Sequence, residues 1–204
     1  MQVSIKKLTD KNLSDLACSY TVHKQVAPSL SSLYGCEHSP IRTQIFVIEL
    51  FGVPLEVRDH LTRHKVGIEF FCRSHRDDRG GGEAANVTYE TLTDMLILAN
   101  AQAIINLARK RLCGKAHWKT REVMQQIKLE MSFVDKELCD KMVPECYYRN
   151  HCPEKRSCGF FWSSKVRPLI EMLEEDPAQI SELIKGAFFV NNLKCPLLSD
   201  SEAE

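Results

Sequence analysis

The sequence predicts an α+β fold in which long helices flank a few strands. Three observations lead there. Short runs rich in β-branched and aromatic residues, VSIKKL, IRTQIFVIELF and IEFFC, read as strands. Longer stretches with helical spacing, Thr93 to Leu112 and Ala116 to Met131, read as helices. Turn signals separate them: Pro28 and the serines after it, Gly52, Gly67, Gly80 to Gly82 and Gly114.

In chain order, the strand VSIKKL leads to a helix that Thr9 or Asp10 caps and that continues towards Val26. Gly52 ends the second strand. Pro54 then stands at the first turn of the helix PLEVRDHLTRHK, where a missing N–H costs nothing. Gly67 breaks that helix ahead of IEFFC. Val143 to Gly159 carries Pro144, Pro153 and three cysteines and reads as an ordered loop. Arg167 to Glu175 and Ala178 to Lys185 are helical candidates. The expected organisation is a core over residues 1–142, a Cys-rich loop over 143–163, and C-terminal helices with an acidic tail over 164–204, all one domain.

A chain of 204 residues buries about 70% of its unfolded surface and builds a core without staples. Hydrophobic residues make up 44% and charged residues 26%, as in an ordinary soluble protein. The 27 basic and 27 acidic residues cancel, which argues against a nucleic-acid coat. The longest apolar stretch, Met95 to Ala108, contains Asn100, Gln102 and Asn106, so it is too short and too polar to span a membrane. MQVSIKKLTD lacks the apolar centre of a signal peptide, and the expected location is the cytoplasm. In that compartment nine cysteines point to reduced thiols or a metal site rather than a disulfide frame.

Charge is unevenly spread. Arg109, Lys110, Arg111, Lys115, Lys119 and Arg121 form a basic stretch without an acid. That stretch is either a solvated face or an anion site. A second cluster, RHKVGIEFFCRSHRDDR, combines Arg63, Arg73, Arg76, Arg79, Lys65, His64 and His75 with three acids. Arginine forks suit phosphates, and histidine donates to a phosphate or a ring carbonyl. The alternative is a surface ladder of salt bridges with Asp59, Asp77 and Asp78. In NAQAIINLARKRL, Gln102, Asn106 and Arg109 share one helical stripe, while Asn100, Ile104, Leu107 and Arg111 share another. Amides on an otherwise apolar helix need partners, which a ligand or neighbouring backbone supplies.

These residues resemble the flavin-dependent thymidylate synthases, most closely a compact, phage-like member. IFVIELFGVPLEVRDHLTRHK looks like the strand and helix leading into the family's Arg-His-Arg signature. The signature opens here as Arg63-His64-Lys65 and closes as Ser74-His75-Arg76. The run from Asn100 through Trp118 is similar to the family's Asn-Ala-x-x-Leu helix, its terminal arginine and a following Ala-x-Trp. The resemblance extends over Pro40 to Met131. It implies a small central, mostly antiparallel sheet flanked by long helices. By the same resemblance Arg63, His64, Asn100, Gln102 and Asn106 contact FAD. Ser74, Arg76 and Arg111 contact deoxyuridylate, with Arg76 and Arg111 stabilising charge in catalysis. His60 stands where the family often has Gln near the nucleotide. Arg79 is expected to replace an arginine from a shortened region, since only 23 residues separate Arg76 from Asn100.

The implied activity is reductive methylation of deoxyuridylate at C5, with methylenetetrahydrofolate as carbon donor and NADPH as reductant. The cofactor carries the redox chemistry while the protein orients and polarises. No Ser or Cys nucleophile is implied, so Cys72 and Ser74 are not cast as one. The implied assembly is a homotetramer, with a pyrimidine deoxynucleotide monophosphate as partner and neither nucleic acid nor membrane. Two alternatives stay open: methylation or hydroxymethylation of another pyrimidine nucleotide, and a non-catalytic, metal-stapled nucleotide-binding protein.

Outside the resemblance, PECYYRNHCPEKRSCG spaces Cys146, Cys152 and Cys158 six residues apart. With His151 or Cys139 as a fourth ligand, this set is expected to hold a structural zinc, or less readily an iron–sulfur cluster. The other reading is three reduced thiols packed in a loop.

Overall fold

The computed structural model describes residues 1–21, 28–79 and 86–167. The chain divides into two compact units, residues 1–144 and 145–204.

The first unit is an α+β structure around a four-stranded antiparallel sheet of order β1-β2-β4-β3. Its strands are β1 (Gln2–Lys7), β2 (Ile45–Pro54), β3 (Ile68–Cys72) and β4 (Leu92–Asn100). Its helices are α1 (Lys11–Thr21), α2 (Leu30–Gly35), α3 (Leu55–Leu61), α4 (Ala101–Arg111), α5 (Trp118–Val134) and α6 (Lys136–Lys141). A 3₁₀ turn, Ser39–Thr43, precedes β2. The four strands leave the central pair β2–β4 flanked on both edges, so the longest apolar strands are the most protected.

The core follows from strand alternation. Phe46, Ile48 and Leu50 of β2 are fully buried on one face. Gly52 then interrupts the pleat with a φ of +69°, and its N–H donates to Asp94 Oδ1 at 2.9 Å. This bulge shifts the register between Leu50 and Val53, so the odd-numbered Val53 becomes the next buried residue. On β4 the buried set is Thr93, Met95, Ile97 and Ala99. Helix α5 covers this layer with Thr120, Val123, Met124, Ile127 and Met131, a continuous stripe at helical spacing. It packs on β1, α3, α4 and α6.

The expected long helix Thr93–Leu112 is divided: its first part is strand β4 and only Ala101–Arg111 is helical. Half-buried Leu96 and Leu98 face away from Met95 and Ile97, so the segment is apolar on both sides. A strand paired on both edges gives such a run, which periodicity cannot tell from a buried helix. The helix over PLEVRDHLTRHK is shorter than expected and ends at Leu61. Helix α1 ends at Thr21, and residues 22–27 lie outside the described residues. So do the glycine run and the helical candidate Ala178–Lys185, together with all of Arg167–Glu175 beyond its first residue.

In the second unit, α7 (Glu145–Arg149) is closed by an ion pair from Arg149 Nε to Glu145 Oε1 at 2.6 Å. Tyr147 packs against Phe160 and Phe161 with ring centroids 5.7 and 6.2 Å away, and Lys165 Nζ lies 4.7 Å from the Tyr147 ring centre. The expected zinc set is not assembled. Among the described residues no three His, Cys, Asp or Glu side chains are gathered to hold a metal ion. Cys146 is buried, Cys152 is half-buried and Cys158 is exposed, so the three thiols occupy different environments. His151 Nδ1 faces the carbonyl of Arg149 at 3.0 Å. In the first unit, Cys139 donates its thiol to the Lys128 carbonyl at 3.3 Å, and burial raises its pKa.

Candidate functional site

The site is built on the β4–α4 junction. Asn100 ends β4 and caps α4, its Oδ1 accepting from Ala103 N at 2.9 Å. The Asn100 N–H donates to the Gly67 carbonyl at 3.0 Å. Gly67 has a φ of +72°, and a Cβ there would stand 2.4 Å from Asn100 Nδ2. Glycine is therefore needed for both its backbone and the space it leaves. The same contact joins the loop after α3 to the start of α4.

One stripe of α4 is closed by an acid from a distant loop. Glu37, whose own φ is +49°, accepts from Gln102 Nε2 at 2.6 Å and forms an ion pair with buried Arg109. Asn106 Oδ1 accepts from Gln102 Nε2 and from Arg109 Nη1, both at 3.3 Å. The predicted stripe Gln102–Asn106–Arg109 thus exists, and Glu37 completes it.

The other face holds cations and histidines. Arg111 Nε donates to His64 Nε2 at 3.1 Å, and Arg111 Nη2 donates to the His60 carbonyl. Burial, then Arg111 and Lys110, push the His64 pKa down to about 4. His64 is therefore neutral near pH 7. Because Nε2 accepts, its proton sits on Nδ1, a free donor in the imidazole inventory. Burial and Arg63 lower the Arg111 pKa, and no carboxylate bonds to Arg111 among the described residues. Burial, then Arg63, Arg111 and His117, also hold His60 below its usual pKa, against a weaker opposing pull from Glu56. His60 Nδ1 meets Thr120 Oγ1 at 2.8 Å, and the His60 and His117 rings lie 5.5 Å apart. His117 Nε2 faces Glu56 Oε1 at 3.2 Å.

Three predicted residues lie on an exposed rim beyond β3. Ser74 Oγ accepts from Arg76 N at 3.2 Å. Arg76 grips Asp78 with both arms of its fork, Nε–Oδ1 at 2.8 Å and Nη2–Oδ2 at 2.7 Å. Arg79 closes the following turn, its N–H donating to the Arg76 carbonyl at 3.1 Å.

The structure thus brings together His60, Arg63, His64 and Arg111, with Asn100 tied to the same loop through Gly67. It separates Gln102 and Asn106 from Arg111 by roughly 140–180° around α4. The sequence reading missed Glu37, Glu56, His117 and Thr120. Thr120 had a legible signal, a hydroxyl on the buried stripe of α5. Glu37 had none, because its role arises from a loop folded back onto a helix 65 residues away.

The electrostatics suit an anionic, hydrogen-bond-accepting ligand: two guanidinium groups and a neutral histidine donor stand together without a neutralising carboxylate on Arg111. No protein-family model and no curated protein matches this chain. Solved structures do. Thymidylate Synthase X (ThyX) from Helicobacter pylori with FAD and dUMP superposes with a TM-score of 0.56 at 14% identity, covering 70% of this chain and 99% of that one. A second structure of the Helicobacter pylori enzyme, complexed with FAD and dUMP, gives 0.57 at 11% identity over 70% and 100% of the two chains. A UMP/dUMP methylase, PolB from Streptomyces cacaoi bound with 5-Br dUMP, gives 0.50 at 11% identity over 69% and 94%. Over that shared region, with its antiparallel sheet and the helix that follows β4, the chain has the α+β fold of the ThyX flavin-dependent thymidylate synthases.

Proposed function

We propose that this chain is a flavin-dependent methyltransferase that reductively methylates deoxyuridylate at C5, using methylenetetrahydrofolate as carbon donor and NADPH as reductant. The observation that carries the reading is the cluster of Arg63, His64 and Arg111, in which no carboxylate bonds to Arg111 among the described residues, set on a fold shared with structures that hold FAD and dUMP. The donor set fits a flavin, whose N1 and N5, ring carbonyls and pyrophosphate oxygens are acceptors. Arg63 and the Nδ1–H of His64 hold it, with Asn100, Gln102 and Asn106 as further amide contacts. FAD when bound supplies the hydride that completes the methyl group.

The chain's own residues do the rest. Arg111 is oriented by His64 and by the His60 carbonyl, so its cation is fixed before substrate arrives. It binds the pyrimidine and stabilises negative charge developing on the ring. His60 contacts the nucleotide from α3. Ser74, Arg76 and Arg79 reach the phosphate from the rim, where the exposed Asp78 must give up the Arg76 fork to the phosphate. The assembly that goes with this reading is a homotetramer.

A second reading keeps the scaffold and changes the product: methylation or hydroxymethylation of another pyrimidine nucleotide. His60 at a position near the nucleotide favours it, since an imidazole and an amide recognise different edges. One experiment tests both readings. Purified protein is reconstituted with FAD, then incubated with methylenetetrahydrofolate, NADPH and each pyrimidine monophosphate, and the product is identified by mass. Thymidylate supports the first reading and a hydroxymethyl or non-thymine product the second. Protein that stays colourless with excess FAD overturns both.

A further inference from the structure

Thr120 is a fully buried hydroxyl on the apolar stripe of α5. Its neighbours on that stripe, Val123, Met124, Ile127 and Met131, are all apolar. A buried hydroxyl is costly unless bonded, and the partner of this one is His60 Nδ1 at 2.8 Å. The contact joins α3 to α5 across 60 residues of sequence.

The direction of the bond follows from the helix. A threonine inside a helix ordinarily donates its hydroxyl to a carbonyl three or four residues earlier. Ser14, Ser19, Thr21, Thr43 and Ser132 do donate to the carbonyl three residues earlier. Among the described residues Thr120 makes no such bond; with His60 Nδ1 as its partner, the hydroxyl hydrogen is left to point at that nitrogen, which makes His60 the inferred acceptor. His60 then accepts at Nδ1 and carries its proton on Nε2.

We propose that Thr120 is a positioning residue: its buried hydroxyl sets His60 in the Nε2–H tautomer and aims that donor at an oxygen of the bound pyrimidine nucleotide. This rests on the functional reading above. The groups facing His60 from the surrounding elements are Arg63, Arg111, His117 and Glu56. Burial first, and then Arg63, Arg111 and His117, lower the His60 pKa and so favour the neutral ring, with Glu56 opposing them. A neutral imidazole has one donor, so the residue that chooses the nitrogen also chooses what the ring recognises. A donor at Nε2 suits a carbonyl or phosphate oxygen and disfavours a ring amino group. The His117 ring lies beside it at an interplanar angle of 56°, with its Nε2 3.2 Å from Glu56 Oε1.

The test uses the FAD-loaded full chain and two variants, Thr120→Val and Thr120→Ser. Valine has the same shape without the hydroxyl, and serine restores it. Nitrogen-15 spectra of the histidine rings report the tautomer with no turnover needed. In the parent and in Thr120→Ser, His60 gives a protonated Nε2 and a bare Nδ1. In Thr120→Val the two nitrogens move towards a tautomer mixture. The deoxyuridylate KM rises about tenfold, as expected for one lost hydrogen bond, while kcat moves less. Serine recovers both signals. An unchanged His60 spectrum in Thr120→Val, or a spectrum already showing Nδ1–H in the parent, overturns the proposal. If the spectra behave as expected and no pyrimidine monophosphate is converted by the parent, the functional reading fails and the tautomer assignment stands.

Discussion

The two faces of α4 carry similar residues and end up in opposite conditions. Glu37 reaches one face, where it pairs with the buried Arg109 guanidinium and accepts from Gln102, while Asn106 Oδ1 accepts from both. Arg111, on the other face, has a neutral imidazole and a backbone carbonyl as its hydrogen-bond partners among the described residues. Residue type therefore does not separate a structural arginine from a binding one. The presence or absence of an acid among the described residues does, because a half-buried cation with no carboxylate bonded to it keeps its attraction for an anion. Arg109 on the first face has its counter-charge within the chain, and Arg111 on the other is left to a ligand.

The contrast is broken most directly at Glu37. Replacing it with Leu removes the Glu37 carboxylate from an Arg109 side chain only 10% exposed. The expected loss is about 3 kcal/mol in urea unfolding, and a loss below a tenth of that would show that Arg109 relaxes to another partner. On the other face, Arg111→Lys keeps the charge and loses the fork. Turnover should fall about a hundredfold with a change in unfolding midpoint far smaller than that of the Glu37 variant. Equal stability losses at Glu37 and Arg111 would erase the distinction between the faces.

Gly67→Ala comes next. The new Cβ meets the Asn100 amide and forces a residue with φ of +72° into a strained region. About 2 kcal/mol of stability should be lost, together with flavin affinity. Asn106→Ala should reduce flavin occupancy, measured by absorbance, with a stability change of about 1 kcal/mol. Unaltered occupancy there and in His64→Ala would remove both from the flavin site.

The smallest effect is on pH. The folded chain holds the His64 pKa at about 4, below its usual 6.5. Between those values the unfolded chain binds the proton more readily. His64 therefore contributes stability above about pH 6.5 that is lost as pH falls towards 4. Partial exposure screens this, so only the sign is predicted. His64→Gln should flatten the decline in stability over that window. The same steepness in parent and variant would assign the decline to other groups.

Much of this fold was legible from local chemistry. The strand IFVIELF and Pro54 at the start of α3 follow from side-chain period and backbone geometry, as does the apolar stripe of α5. Asn100 as the start of a helix was also within reach, since Asn is a favoured cap, yet the apolar run before it hid the boundary. The cysteine spacing misled, because sequence spacing says nothing about whether thiols converge, and among the described residues they do not.

By itself, the sequence determined what each segment can bury and which residues can bind: the alternation that makes β2 a core strand, the stripe of amides on α4, and the acid-free basic stretch that includes Arg111. Only the tertiary structure decided which of those polar groups are already satisfied. Glu37 reaches Arg109 across 72 residues and Thr120 reaches His60 across 60. Such pairings are set by how loops and helices pack on the sheet, and local pattern does not encode them. The physical reason is that a polar side chain acts through its partners. Whether those partners come from the chain or from a ligand is settled only when distant segments fold together.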